Sequence, residues 1–219
     1  MKIRWCGHSY FFIQTQKENT KEERRIVIDP FSEEIGLKPC QVEADILLIT
    51  HQHFDHNNKK VVKGEYFLID GPGEYEIREV YIKGIFSYHN QKKEPNTIYL
   101  IEAEGIKICH LGDLGQSELT PQQIEEIGDI DVLMVPVGGV YTISAKEALK
   151  TINQIEPKIV IPMHYKLPKL KVKLARVEEF LKVIGQENVE PQTKLSIKKE
   201  KLPAQTTTLL LKPTKFVQK

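Results

Sequence analysis

The chain has 219 residues, of which 28% are charged and 40% hydrophobic, a composition typical of a globular protein. No apolar run approaches the roughly 20 residues that a membrane-spanning helix needs, and the first residues lack the apolar core of a secretory signal peptide. The three cysteines, Cys6, Cys40 and Cys109, do not suggest a disulfide framework, so we expect a cytoplasmic protein.

The net charge of +1 conceals an asymmetry along the chain. Residues 158–219 hold 14 Lys and Arg against 5 Asp and Glu, whereas the first 157 residues are acidic. A basic C-terminal third can attract an anionic substrate or nucleic acid, and the plainer interpretation is a set of scattered, solvated lysines.

Strand-like segments dominate the first half of the chain. Apolar alternation and short apolar runs predict strands at 2–6, 10–14, 24–30, 46–49, 66–69, 80–86, 97–102 and 106–111. Between them, Asp70-Gly71-Pro72-Gly73 is a turn cluster. Ala103-Glu104-Gly105 joins the last two segments into a predicted hairpin.

Helices and strands alternate in the second half. Capping boxes beginning at Thr120 and Ser144 predict helices that end at Gly128 and near Ile155. A third helix is predicted over 175–184, and strands at 131–137, 158–162, 194–199 and 206–211. The chain has no repeat or linker, so we predict one domain over residues 1–219. The pattern alone supports only a mixed α/β domain.

The most informative stretch directly follows the apolar run at 46–49 and reads Thr50-His51-Gln52-His53-Phe54-Asp55-His56-Asn57. Three imidazoles and one carboxylate within six residues suit first-row divalent metals such as Zn²⁺. On an extended chain His51 and His53 point the same way and can share one ion. Asp55 and His56 follow a turn and can face a second ion nearby.

The pattern His51-x-His53-x-Asp55-His56 resembles the signature of the metallo-β-lactamase superfamily of metal-dependent hydrolases. Segments 71–76 and 137–142 resemble a group of small Zn-dependent members from bacteria and archaea, related to sugar-phosphate lactonases and phospholipase-D-like enzymes. For segment 71–76, turn chemistry of its glycines is the favoured explanation, whereas segment 137–142 falls at a strand end and brings Tyr141 toward the expected pocket. The resemblance implies an αββα sandwich, with two mixed sheets and helices outside. One departure is the short segment 90–96, where relatives carry a longer insert, so substrate contacts of that insert are not carried over.

The resemblance also assigns ligands to two ions. They are His51, His53 and a third histidine for the first ion, Asp55, His56 and His164 for the second, and Asp113 bridging both. His89 and His110 both suit the third position chemically. The order of ligands along the chain in relatives selects His89, which leaves His110 to support the site from behind.

Two divalent ions are therefore implied, with Zn²⁺ the first expectation and Mn²⁺ or Fe²⁺ also compatible. Such ions activate water as a hydroxide that attacks a carbonyl or phosphoryl centre. We expect hydrolysis of a small-molecule phosphodiester, lactone or ester, with Asp55 and Asp113 as the catalytic carboxylates. The alternative is a non-catalytic metal-binding or sensing protein on the same fold. A nuclease is disfavoured because the chain has no appended RNA-binding arm.

Other residues are candidates for the surroundings of the site. His8, His110 and Tyr141 are possible acids for the leaving group, and we expect His8 near the mouth of the site in a structural or substrate-facing role. Lys166 and Lys169 follow His164 in a lysine-rich segment that could bind a phosphate, or could simply be a solvated loop. Asp29 either orients a histidine ligand or caps a turn. The oligomeric state stays open.

Overall fold

The computed structural model describes residues 1–16, 22–89 and 93–214. The strands in this part of the chain are β1 Lys2–Gly7, β2 Tyr10–Gln16, β3 Glu23–Ile28, β4 Val42–Glu43, β5 Ile46–Leu48, β6 Val62–Lys63, β7 Phe67–Ile69, β8 Gly73–Ile77, β9 Val80–His89, β10 Glu94–Ala103, β11 Ile106–His110, β12 Val132–Pro136, β13 Ile159–Met163, β14 Leu195–Ser196 and β15 Thr207–Thr208. The α-helices are α1 Pro121–Ile127, α2 Ala145–Ile155 and α3 Val177–Val183.

Two large mixed sheets form the body of the protein. The strand order is β14-β1-β2-β3-β5-β7 in the first sheet and β15-β13-β12-β11-β10-β9-β8 in the second, and β4 and β6 form a small third sheet. β3, β5 and β7 run parallel, as do β11, β12, β13 and β15. This arrangement confirms the predicted α/β class with two mixed sheets.

Three of the parallel strands are buried along their whole length. All residues of β5, β12 and β13 are buried, as parallel strands covered on both faces should be. Both predicted capping boxes form at the starts of α1 and α2. α2 packs against β12 and contacts both other helices, which places a helical layer over the second sheet. Among the described helices, none has the length and apolar character required to span a membrane.

Several predicted element bounds were wrong. β8 was missed because its first residue, Gly73, belongs to a turn cluster and its charged residues alternate with apolar ones. The closing strands are much shorter than predicted: β14 and β15 have two residues each and lie at the edges of their sheets. β9 and β10 are longer than predicted and form one hairpin that ends with His89 opposite Glu94.

The expectation of no disulfide framework was also wrong. The structure joins Cys6 at the end of β1 to Cys40 in the segment before β4, with the two Cα atoms 6.0 Å apart. Their separation of 34 residues gives no local signal, because only the fold brings the two chain segments together. Cys109 is free and buried.

Candidate metal centre

The histidine-rich segment begins where β5 ends, at one edge of the first sheet. β5 is held between β3 and β7, so the residues that follow it leave the sheet from a fixed position. The backbone N–H groups of His56 and Asn57 both donate to the carbonyl oxygen of His53, at 2.9 and 3.1 Å. This turn brings the ring centroids of His51 and His53 to 4.6 Å and those of His51 and His56 to 4.1 Å.

The β9–β10 hairpin supplies His89 from the second sheet. His89 is the last residue of β9, and its ring centroid lies 4.9 Å from those of both His51 and His53. The register also places Glu94 directly across the hairpin from His89. One carboxylate oxygen of Glu94 lies 3.6 Å from His53 Nε2 and 4.0 Å from His89 Nδ1.

Asp113 follows β11 after a tight bend at Gly112. Gly112 has φ +58°, and a Cβ there would lie 2.4 Å from Asn96 Oδ1, so a side chain is excluded on both counts. The bend allows the backbone N–H of Asp113 to donate to the same Asn96 oxygen, at 3.0 Å. Ser9 Oγ donates to Asp113 Oδ1 at 3.4 Å, which leaves Oδ2 facing the histidines.

His164 follows β13 in a left-handed conformation, with φ +52°. Its backbone N–H donates to the carbonyl oxygen of His8 at 3.1 Å. Gly138 packs directly behind it, because a Cβ at Gly138 would lie 2.1 Å from the carbonyl oxygen of His164. The segment after β12 and the end of β13 thus fix this histidine together.

One oxygen atom is the centre of the arrangement. Asp113 Oδ2 lies near the Nε2 atoms of four histidines: 3.1 Å from His164, 3.2 Å from His56, 3.2 Å from His89 and 4.0 Å from His51. A single carboxylate oxygen cannot accept four good hydrogen bonds, so this crowding indicates a place for cations.

The potential ligand atoms fall into three groups that could each hold a metal ion. They are His51, His53 and His89; His8, Asp55, His56 and His164; and His51, His56 and Asp113. The structure therefore brings together all seven residues to which the resemblance assigned metal binding. It places His8 among them as well.

The donor set fits divalent metal ions. Within the described part of the chain, four buried histidine nitrogens lack a hydrogen-bond partner: His8 Nδ1, His51 Nε2, His56 Nε2 and His164 Nδ1. His56 Nε2 is close to Asp113 but is not aligned for a hydrogen bond. Unpaired buried polar atoms are costly, and imidazole nitrogens beside carboxylates are the donors that Zn²⁺ and related ions take.

Asp29 anchors two of these histidines. Its Oδ2 accepts a hydrogen bond from Thr50 Oγ1 at 2.6 Å and lies 2.9 Å from His56 Nδ1. Because the Thr50 proton is donated to Asp29, the hydroxyl oxygen accepts from His51 Nδ1, 3.0 Å away. Both histidines then present Nε2 to the centre, so Asp29 orients histidines, one of its two predicted roles.

Burial and mutual charge set the protonation of the site. Burial and the neighbouring His56 lower the pKa of His51 to about 2, so its ring is neutral. Burial alone would lower the pKa of His56, but Asp113, Asp29 and Asp55 raise it well above its usual value. Burial alone would raise the pKa of Asp113, but His164 and His56 hold it well below its usual value. Without metal, a proton on His56 balances part of the carboxylate charge.

His110 lies behind the centre. Its Nε2 donates to the carbonyl oxygen of Ser9 at 3.0 Å, and its Nδ1 accepts from the backbone N–H of Gly112 at 3.1 Å. Both ring nitrogens are thus satisfied by backbone groups, and the ring packs edge-on against Phe11. Burial lowers the pKa of His110. The geometry favours His89 over His110 as the third histidine of the first ion.

The remaining candidates lie at the periphery. Tyr141 is half-exposed in the segment that follows β12. The Lys166 ammonium donates to the carbonyl oxygen of Leu170, within its own loop, and Lys169 is exposed. These contacts fit the solvated-loop interpretation better than a built phosphate site.

Among the described residues around the site, His53 and Glu94 are the ones with half-exposed side chains that contact the ligand cluster. The side chain of His53 is 46% exposed, whereas those of His51 and His89 are 4% exposed. Phe54, next to His53, is 54% exposed. Substrate therefore has access from the side of His53 and Glu94.

Sequence reasoning missed four residues that contact the candidate ligands. They are Ser9, Thr50, Glu94 and Asn96. Ser9 and Asn96 act through Asp113, 104 and 17 residues away in sequence. Thr50 is adjacent to His51, and Glu94 lies directly across the hairpin from His89, so these two contacts are the local ones.

Comparisons with known proteins found similar sequences. A family model described as a beta-lactamase superfamily domain matches residues 2–164. A UPF0173 metal-dependent hydrolase of Thermococcus onnurineus is 32% identical over 217 residues, covering 84% of this chain and 92% of that protein.

Solved structures show the same relationship. A Thermotoga maritima protein, proposed to be a Zn-dependent hydrolase of the metallo-beta-lactamase superfamily, is 40% identical, with a TM-score of 0.78 and 99% coverage of both chains. A metallo hydrolase from Ignicoccus hospitalis has a TM-score of 0.61 at 23% identity, covering 90% of this chain and 99% of that chain, and shares the fold.

Proposed function

Since the chain belongs to the metallo-β-lactamase superfamily and is a metal-dependent hydrolase, we propose that it cleaves a small-molecule phosphodiester or lactone with two divalent ions around Asp113. The observation that carries this proposal is the convergence of four imidazoles on Asp113 Oδ2, with separate clusters on either side of it. A closed structural zinc site would need only four ligands.

The proposed ligand sets follow the two clusters. His51, His53 and His89 would hold the first ion, Asp55, His56 and His164 would hold the second, and Asp113 would serve both. Zn²⁺ is the proposed metal, because imidazole nitrogen and carboxylate oxygen are common donors to it. When bound, such ions lower the pKa of water and act as Lewis acids on a carbonyl or phosphoryl oxygen.

The protein's own groups orient the reaction. Ser9 holds Asp113 Oδ1 and Asn96 holds its backbone, so that Oδ2 keeps its direction. Asp113 and Asp55 orient the attacking water through their carboxylate oxygens. Asp29 keeps the Nδ1 protons of His51 and His56 turned away from the centre. Substrate enters on the exposed side of His53.

The test is hydrolysis of a chromogenic phosphodiester and a simple lactone by protein loaded with Zn²⁺ or Mn²⁺. Asp113→Ala is the blank, and Asp131→Ala is the matched control. Asp131 is also a buried aspartate of the second half of the chain, but it bonds Lys107 and Lys199 instead of histidines. We expect turnover that Asp113→Ala abolishes and Asp131→Ala retains.

The outcome selects the substrate class. Turnover of the phosphodiester alone assigns phosphoryl chemistry, and turnover of the lactone alone assigns acyl chemistry. If both ions bind and neither substrate is cleaved, both proposed classes are wrong.

An anionic substrate stays a proposal from the sequence. Because the Lys166 ammonium bonds within its own loop and Lys169 is exposed, replacing both with Gln should leave KM unchanged for the phosphodiester and for a neutral lactone. A raised KM for the phosphodiester alone would show that the two lysines bind an anionic substrate.

A cytoplasmic location stays a proposal. Disulfides such as Cys6–Cys40 are rare in that compartment outside hyperthermophiles. Cell fractionation with thiol alkylation before lysis tests it, and recovery of the protein in an exported fraction would contradict it.

A further inference from the structure

His8 occupies a tight turn between β1 and β2 that the ligand assignment leaves unused. It is fully buried and has a left-handed backbone, with φ +54°. Its carbonyl oxygen accepts two hydrogen bonds, from Trp5 Nε1 at 2.9 Å and from the backbone N–H of His164 at 3.1 Å. A strained conformation held by several contacts is typical of functional sites.

The His8 ring contacts the proposed ligands of the second ion. Its Nε2 lies 3.0 Å from Asp55 Oδ2. Its centroid is 4.2 Å from that of His164 and 5.1 Å from that of His56. An ionised carboxylate only accepts hydrogen bonds, so at this distance the proton lies on His8 Nε2.

We propose that His8 is a positioning residue that fixes the ligands of the second ion: its Nε2–H holds the Asp55 carboxylate, and its carbonyl oxygen holds the backbone of His164. The inference rests on the two-ion site of the proposed function. It differs from the substrate-facing role considered from the sequence, because His8 is buried beneath the ligands. Hydrogen-bonded partners of this kind fix ligand orientation and thereby raise metal affinity.

Two matched variants test the role of the side chain. His8→Gln keeps an N–H donor at a reach close to that of Nε2, whereas His8→Met has similar bulk and no donor. Both place an ordinary side chain in the same left-handed conformation, so they share any backbone cost. Metal-free wild type and variants are titrated with Zn²⁺ against a chromophoric chelator, which yields the stoichiometry and both binding constants.

We expect His8→Met to lower the affinity for one of the two ions by about 10–100-fold and to leave the affinity for the other unchanged. His8→Gln should recover most of that affinity. The inference would be overturned if His8→Met and His8→Gln lost the same amount of metal affinity. It would also be overturned if His8→Met lowered the affinity for both ions equally.

A measurement on the wild type covers the case in which His8→Met does not fold. With nitrogen-labelled histidines and an NMR-active cadmium isotope, nitrogens that bind metal show coupling to it. We expect coupling at His56 and His164, and at His8 a protonated Nε2 without coupling. Coupling at His8 would make it a ligand and refute the positioning role.

Failure of the inference is separable from failure of the proposed function. A wild type that binds fewer than two ions contradicts the two-ion site itself. If the wild type binds two ions and His8→Met has the same two metal-binding constants, only the role of His8 is contradicted.

Discussion

Asp29→Asn tests how the protein holds its histidines without altering any proposed ligand. Asn has the shape of Asp and tolerates the left-handed backbone at this position, where φ is +48°. The Asn amide has one acceptor oxygen, so it cannot replace both Oδ1, which accepts from the backbone N–H of Thr50 at 2.8 Å, and Oδ2, which faces Thr50 Oγ1 and His56 Nδ1. At least one hydrogen bond from Thr50 or His56 is therefore lost. Hydrogen bonds to a charged group contribute about 1.5–3 kcal/mol each, and Asp29 Oδ2 faces two donors.

We therefore expect Asp29→Asn to lower the free energy of unfolding of the metal-free protein by about 1.5–3 kcal/mol, the contribution of one such hydrogen bond. It should also weaken metal binding by about 10–100-fold, because the neutral amide holds His56, and through Thr50 also His51, less firmly. Urea unfolding measures the first effect, and Zn²⁺ titration measures the second.

Asp45→Asn is the matched control for this experiment. Asp45 is also a buried aspartate, at the opposite end of β5, and it bonds Arg25 and Arg78. Its replacement should lower stability and leave metal affinity unchanged. If Asp29→Asn lowers stability but keeps wild-type metal affinity, as Asp45→Asn should, then Asp29 does not orient the ligands.

Four further outcomes are expected. His89→Ala should bind one metal ion per chain in place of two, as measured by metal analysis. His110→Ala should keep both ions but lower the free energy of unfolding in urea by at least about 2 kcal/mol, because it leaves two backbone groups unpaired. Reducing the disulfide between Cys6 and Cys40 should lower the free energy of unfolding by about 3–4 kcal/mol, seen as a shift of the urea midpoint. Burial raises the pKa of Asp45, but hydrogen bonds from arginine outweigh it and hold the pKa below its usual value. The stability that Asp45 contributes is therefore present above about pH 4 and lost as pH falls through its folded-state pKa. The difference in free energy of unfolding between wild type and Asp45→Asn should shrink at low pH. Unfolding of the metal-free protein should be one transition by both tryptophan fluorescence and circular dichroism, and two separate transitions would contradict the one-domain prediction.

The sequence predicted the parts of the site that are local. His51, His53, Asp55 and His56 lie within six residues, so their spacing alone indicated two ions. Asp113 was assigned by the resemblance, and the structure places it after the bend at Gly112. The motif also predicted the layered fold, since periodicity alone gave only a mixed α/β class.

The rest of the site depends on contacts between distant segments. Glu94 reaches His53 only because the β9–β10 hairpin is longer than its apolar pattern suggested. The choice between His89 and His110 follows strand register, which side-chain chemistry cannot supply. Cys6 and Cys40 pair for the same reason: the fold joins segments that show no local relationship.

The position of His56 explains why the two sheets should act as one domain. Its Nδ1 lies 2.9 Å from Asp29, which follows β3 in the first sheet. Its Nε2 lies 3.2 Å from Asp113, which follows β11 in the second sheet. A single imidazole thus links buried carboxylates from both sheets, and separating the sheets would take this partner away from Asp113. Because unpaired buried charges are strongly destabilising, the metal centre and the sandwich should form together.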